Sequence, residues 1–182
     1  MSDSFQVEGA DEVFHSHVFD VERRTIRFGN TTFQRDVAVH PGAVAVLAIN
    51  SDGQVGFIRQ YRATFDDYLL EVPAGTQDVA DELTLETAKR ELLEEMGYVA
   101  NEWKLLGRFM NSPGWTNQVM TIYEARDLTQ GERDPAGPEE RESTIHWLSP
   151  EELRRALRAA PAIDSTTAIA LHRVFGTFLD EL

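Results

Sequence analysis

The chain has 182 residues, 42% of them hydrophobic, with no cysteine and a formal net charge of −14. One domain of this length and apolar content can bury a core, so a disordered polymer is excluded, as are a disulfide framework, a thiolate metal site and a cysteine nucleophile. The acidity argues against sequence-independent binding to nucleic acid, which depends on Lys and Arg meeting phosphates, and no stretch approaches the roughly 20 apolar residues needed to span a bilayer.

The N-terminus, "MSDSFQVEGADEVF", is acidic and has no long apolar run. It does not read as a secretory signal, and a cytoplasmic setting is expected. "SHVFDVERRTIRFGNTTFQRDVAV" carries short β-type runs around Gly29 and Asn30, which predicts a hairpin with an "FGN" bend. "GAVAVLAIN" (42–50) is almost continuously apolar and predicts a strand buried on both faces. The turn "SDG" and the run "QVGFIRQYRA" (54–63) suggest that the next strand folds back on it as a hairpin. "YLLEVPAG" (68–75) is a third short run, ended by Pro73 and Gly75.

A helix is expected from about Leu85 to Met96, with Thr84 as N-cap and Gly97 after its end. Leu85, Ala88, Leu92 and Met96 recur at steps of three and four and form its apolar face. Strands are expected around "WKLLGRFM" (103–110) and "QVMTIYEAR" (118–126), on either side of the loop "NSPGWTN". The polar segment 127–142 reads as a long exposed loop, of the kind that is functional or disordered. "STIHWLS" (143–149) predicts a strand and "SPEELRRALRAA" (149–160) a helix capped by Ser149 with Pro150 at its first position. A last helix covers about Ser165 to Leu179. Strands dominate the first two thirds and helices pack around them, an α+β chain.

"RELLEEMG" (90–97) places Glu91, Glu94 and Glu95 at i, i+3 and i+4, on one helix face. Such a face is either solvated or compensated. Arg90 is four residues from both Glu86 and Glu94 and can offset part of the repulsion; a hard divalent cation with oxygen ligands can offset the rest. Gly75 permits close backbone approach, so that the carbonyl of Ala74 can face these carboxylates.

Residues 75–98, "GTQDVADELTLETAKRELLEEMGY", resemble the Nudix box, the signature of the Nudix hydrolases. Glu82, Arg90, Glu91, Leu92, Glu94, Glu95 and Gly97 fall in register, with Tyr98 at the closing apolar position. One departure is an extra residue between Gly75 and Glu82, placed in a loop where insertion costs little. The resemblance implies a Nudix fold: mixed β-sheets packed between helices as an α/β/α sandwich, here spanning 41–182. An N-terminal strand region over 1–40 precedes it. It also implies that Glu91 and Glu95 bind Mg²⁺ (or Mn²⁺), that Glu94 and the Ala74 carbonyl contribute, and that Gly75, Glu82, Arg90 and Gly97 support the loop and helix.

Three features are similar to the ADP-ribose pyrophosphatase branch: Pro113 and Gly114 in "SPG", fifteen residues past Tyr98; the strands preceding the box; and the chain layout. That branch implies a homodimer built by the N-terminal strands and a nucleoside diphosphate sugar as substrate. Arg35 and Arg62 are candidates for substrate contact, and Phe28 for stacking on the base. In this branch an acid on a mobile loop acts as base. In "PEERE", Glu140 best matches that role, Glu139 is not separable from it by spacing, and Glu142 matches an accessory metal ligand. ADP-glucose or GDP-mannose as substrate, and a catalytically silent nucleotide sensor, stand as alternatives. A helix–loop calcium module is excluded, because its alternating acidic loop with a central Gly is missing.

Overall fold

A computed structural model describes residues 4–160 and 162–176. The chain forms two compact units, Met1–Gly42 with Met110–Val119, and Ala43–Phe109 with Met120–Leu182.

The first unit holds an antiparallel sheet of β1 (Gln6–His15), β2 (Asp20–Phe28) and β3 (Thr31–Val39), in that order. The β2–β3 bend falls at the expected place, with Gly29 at φ 57° and Phe28 opposite Thr31. Strand β1 lies inside the expected strand region 1–40, but no residue pattern located it. Every one of its residues is exposed, so no alternation of apolar and polar positions marks it, and its pairing with β2 slips twice, between Val7 and Gly9 and between Glu12 and Phe14. Phe28 stacks on Phe5 with ring centroids 4.3 Å apart. Residues 110–119 join this unit through the Ala38–Thr116 bridge and the His40 amide, which donates to Asn117 Oδ1 at 2.8 Å.

The second unit is built on two further sheets, ordered β7-β4-β9-β8 and β10-β5-β6. The first comprises β4 (Ala43–Ala48), β7 (Ala74–Thr76), β8 (Tyr98–Met110) and β9 (Val119–Gln130); the second, β5 (Val55–Arg62), β6 (Asp67–Glu71) and β10 (Thr144–Leu148). Strand β4 is buried at all its positions, as its apolar run predicts. It lies parallel to β9 and antiparallel to β7, so both its edges are paired, and helices cover its two faces.

Ala43, Ala45 and Leu47 pack with Leu153 and Leu157 of α3 (Pro150–Ala159) and Ala170 and Leu171 of α4 (Ser165–Phe175). Val44, Val46 and Ala48 pack with Ala88, Leu92 and Met96 on the other side. Helix α1 (Thr84–Glu91) and the turn that extends it therefore lie against one face, and α3 and α4 against the other. Burying each Leu or Val contributes about 1.5–3 kcal/mol. Among the described residues no helix is long and apolar enough to cross a membrane.

Several local expectations change. Strands β4 and β5 do not form a hairpin ladder; one bridge, Ile49–Val55, joins them before they enter different sheets. "YLLEVPAG" is divided between β6 and β7, so Gly75 lies inside a strand and does not end one. Strand β8 begins at Tyr98, directly after the helix. The expected loop 127–142 is shorter, because β9 runs to Gln130 and Pro138–Arg141 forms a helical turn, α2. Ser149 does cap α3, with a reciprocal bond from Glu152. Helix α4 is described to Phe175; positions 177–179 of the expected helix lie outside the described residues.

Candidate active site

Helix α1 starts one residue earlier than expected. Its N-cap is Leu83, with no side-chain cap, and the Thr84 hydroxyl is instead 2.6 Å from the Tyr123 hydroxyl on β9. The α-helix ends at Glu91 and continues as a π-helical turn, Leu92–Met96, closed by Gly97 at φ 72°. Such π-helical turns recur at functional sites.

The three glutamates have different surroundings. Glu95 is buried, 3% exposed, and its Oε2 accepts from the Ala74 amide at 2.8 Å. Glu91 is 8% exposed, and its Oε1 accepts from Arg90 at 2.7 Å. Glu94 is more open and is held by Arg90 at 3.0 Å. Arg90 also reaches Glu82 at 3.3 Å and Asp78 at 3.4 Å, tying the preceding loop to the helix. The expected Glu86 partner is instead taken by Lys89, at 2.8 Å.

Gly75 sits where no side chain fits: a Cβ there would lie 1.9 Å from Cδ of Glu91. Glycine lets β7 press directly against the helix carboxylate.

Burial pushes Glu95 up to about 8, against the Ala74 amide that favours its anion, with Glu91 and Glu140 adding repulsion. Burial likewise pushes Glu91 up to about 7, opposed by Arg90 and reinforced by Glu94 and Glu140. Burial lowers the pKa of Arg90, but Glu82, Glu91 and Glu94 together raise it above its ordinary value. The site is thus an oxygen-rich pocket short of positive charge.

Glu140 adds to the upward push on both helix carboxylates, and its Oε2 accepts from the Ala136 amide at 2.7 Å. A cleft of about 340 Å³ is lined by Gln60, Arg62, Glu139 and Glu140 with their neighbours. Arg62 donates through Nε to Glu71 at 2.8 Å. Glu142 is exposed, follows α2, and is outside the lining of this cleft.

Arg35, Pro113 and Gly114 belong to the first unit. The Arg35 guanidinium lies over the Phe33 ring at 4.7 Å, and Pro113 and Gly114 line a cleft of about 370 Å³ with Arg24 and Trp115.

The NUDIX domain family model matches residues 39–168. The chain belongs to the Nudix hydrolase family. The ADP-ribose pyrophosphatase of Mycobacterium tuberculosis (strain ATCC 25618 / H37Rv) is 33% identical over 174 residues, 93% of this Nudix chain and 84% of that protein. A methanol dehydrogenase activator of Bacillus methanolicus is 29% identical over 88% of this chain and 87% of its own length. A crystal structure of an ADP compounds hydrolase superposes with TM-score 0.80 at 24% identity, covering 94% of this chain and 92% of that one, and so shares the α+β Nudix fold.

The Nudix donor set fits a hard divalent cation. Its ligating atoms are carboxylate oxygens, and two of the carboxylates are buried beside each other with their anions disfavoured. One cation would reverse that penalty. Glu91, Glu94 and Glu95 do not close to within 4.8 Å as a trio. Among the described residues only the Glu12, His15 and Asp20 group of the first unit does so, and it is solvent-facing.

Two residues outside the family signature also shape the site. Glu71 orients Arg62, and Arg133 bonds to the backbones of Glu95 and Glu140. Arg133 is the only cation between residues 127 and 140, and that isolation was the available signal.

Proposed function

We propose that the protein hydrolyses the pyrophosphate bond of ADP-ribose to AMP and ribose 5-phosphate with Mg²⁺, or Mn²⁺, in the cytoplasm. The observation that carries the chemistry is the pair of buried carboxylates, Glu91 and Glu95, on the Nudix helix, with the Glu140 main chain joined to that of Glu95 through Arg133. The ADP-ribose pyrophosphatase relative supports the choice of substrate.

Glu91 and Glu95 would hold the cation, with Glu94, the Ala74 carbonyl and Glu142 as further candidates. When bound, it supplies charge neutralisation on the pyrophosphate oxygens and makes a water easier to deprotonate. Glu140 accepts a proton from the attacking water, with Glu139 as its neighbour and alternative. The water oxygen bonds to one phosphorus, and the bond from that phosphorus to the bridging oxygen breaks. The bridging oxygen leaves with the other phosphate. Arg62, oriented by Glu71, binds phosphate oxygens from the wall of the cleft that also carries Glu140. Arg35, Pro113 and Gly114 are proposed to contact the rest of the substrate. Gly75, Glu82, Arg90 and Gly97 keep the loop, strand and helix in place.

The strand region 1–40 is proposed to pair two copies, with 41–182 as the hydrolase domain. Phe5, Val7, Phe14 and Val18 are each more than half exposed there, an apolar surface that association would cover. Sedimentation at micromolar concentration tests this; a monomer removes the proposal.

Release of AMP from ADP-ribose in Mg²⁺, compared with ADP-glucose and GDP-mannose, tests the substrate. The relative named as a dehydrogenase activator raises a second reading, regulation of another enzyme. The retained glutamates favour catalysis over a silent sensor, and no turnover of any nucleoside diphosphate sugar would reverse that preference.

A further inference from the structure

We infer that Arg133 is a positioning residue that sets the Glu139–Glu140 segment against the carboxylates of the Nudix helix. The inference rests on the reading of Glu140 as proton acceptor. Arg133 Nε donates to the main-chain oxygen of Glu95 at 2.6 Å. Its Nη2 donates to the main-chain oxygen of Glu140 at 2.7 Å and to Ser143 Oγ, and its Nη1 to the Ser143 main-chain oxygen at 3.3 Å. One guanidinium thus joins the residue with the deepest carboxylate to the residue with the acceptor.

The geometry suits arginine alone. A planar fork presents several donors at fixed angles, whereas an ammonium is a compact point charge. The atoms it binds are main-chain carbonyls and a hydroxyl, so Arg133 engages neither carboxylate and fixes only the backbones that carry them. The cation also lies at the C-terminal end of the helix, where partial negative charge collects. Ser143, 6% exposed, completes the joint by donating its own hydroxyl to the Glu140 oxygen at 2.8 Å.

The start of the segment is pinned as well. The Gly131 amide donates to the Gly97 oxygen at 2.8 Å. A Cβ on Gly131 would come 2.8 Å from Leu93 Cδ1, and one on Gly97 would come 3.3 Å from Arg133 Cβ. The chain passes close to the helix end there, and Gly97 also holds a φ of 72° that favours glycine.

Arg133 is the tie that the structure gives between the main chain at the helix end and that of the Glu139–Glu140 segment. Without those hydrogen bonds the segment loses its fixed position against the helix, and the acceptor with it. A displacement of about 1 Å at such a point costs about 100-fold in rate.

The test compares Arg133→Ala, Arg133→Lys and Ser143→Ala with the unsubstituted protein. For Arg133→Ala, kcat on ADP-ribose falls ~100-fold, KM stays within about three-fold, and Mn²⁺ affinity measured by electron paramagnetic resonance stays within about two-fold. Added guanidinium ion restores part of kcat to Arg133→Ala but none to Arg133→Lys. Amide exchange speeds up across residues 139–143 and stays unchanged in α1. An unchanged kcat, or a fall in Mn²⁺ affinity matching the fall in kcat, overturns the inference, the latter because it would make Arg133 a support of the helix. If the unsubstituted protein does not hydrolyse ADP-ribose, the proposed function fails; amide exchange still decides whether Arg133 holds the segment, and unchanged protection of 139–143 in Arg133→Ala overturns that.

Discussion

The main-chain amide of Ala74 lies 2.8 Å from Oε2 of Glu95. This bond fastens strand β7 to the end of the Nudix helix and gives the most buried carboxylate of the site a donor for its anionic form. Glu95→Gln removes the charge and keeps the size. We expect kcat to fall at least ~100-fold in Mg²⁺, equivalent to about 3 kcal/mol of lost transition-state stabilisation, with the fold retained. Circular dichroism and AMP release check both; unchanged turnover would remove Glu95 from the metal site.

The same carboxylate sets a pH dependence in metal-free protein. Glu95 and Glu91 titrate near 8 and 7 in the fold, above the ordinary 4.5. Between about 4.5 and 8 the folded state binds more protons than the unfolded one, so their contribution to stability falls as pH rises through that window. Melting temperature without metal should drop from pH 5.5 to pH 8.5, by less in Glu95→Gln. Added Mn²⁺ should recover most of the loss at pH 8.5. An identical drop in wild type and variant would contradict this assignment.

Gly75→Ala puts a methyl group onto the Glu91 carboxyl. Either β7 withdraws or the carboxylate turns away. Overpacking of this kind costs about 1–3 kcal/mol. Mn²⁺ titration should show weakened binding and calorimetry a lower melting temperature; a variant with wild-type affinity would mean that the strand moves freely here.

Glu140 and Glu139 line the same cleft and can be separated by substitution. Glu140→Gln should lower kcat by about 100- to 10,000-fold, the range of general-base catalysis, with KM little changed. Glu139→Gln should cost less than about 10-fold. The reverse order in steady-state assays would move the proton acceptor to Glu139.

The Nudix helix was legible in the sequence because its evidence is local. Arg90, Glu91, Glu94, Glu95 and Gly97 are fixed by spacing, and Ala88, Leu92 and Met96 face the core as their period requires. The continuous apolar run of β4 likewise announced burial on both faces. Strand β1 left no such mark, since an exposed strand has no reason to alternate. Local spacing also gave no sign of the π-helical turn at Leu92–Met96, nor that Glu95 would meet the Ala74 amide while Glu94 meets Arg90.

By itself the sequence determined the helix, its acidic register, the glycine that must precede it and the buried strand beneath it. Each depends on intervals of a few residues and on side-chain size or charge. Only the tertiary structure decided that β4 and β5 part into different sheets, that Glu95 meets Ala74, and that Arg133 bonds to the main-chain oxygens of both Glu95 and Glu140. Those contacts join residues distant in the chain through main-chain hydrogen bonds, and a main-chain donor or acceptor looks the same at nearly every position of a sequence.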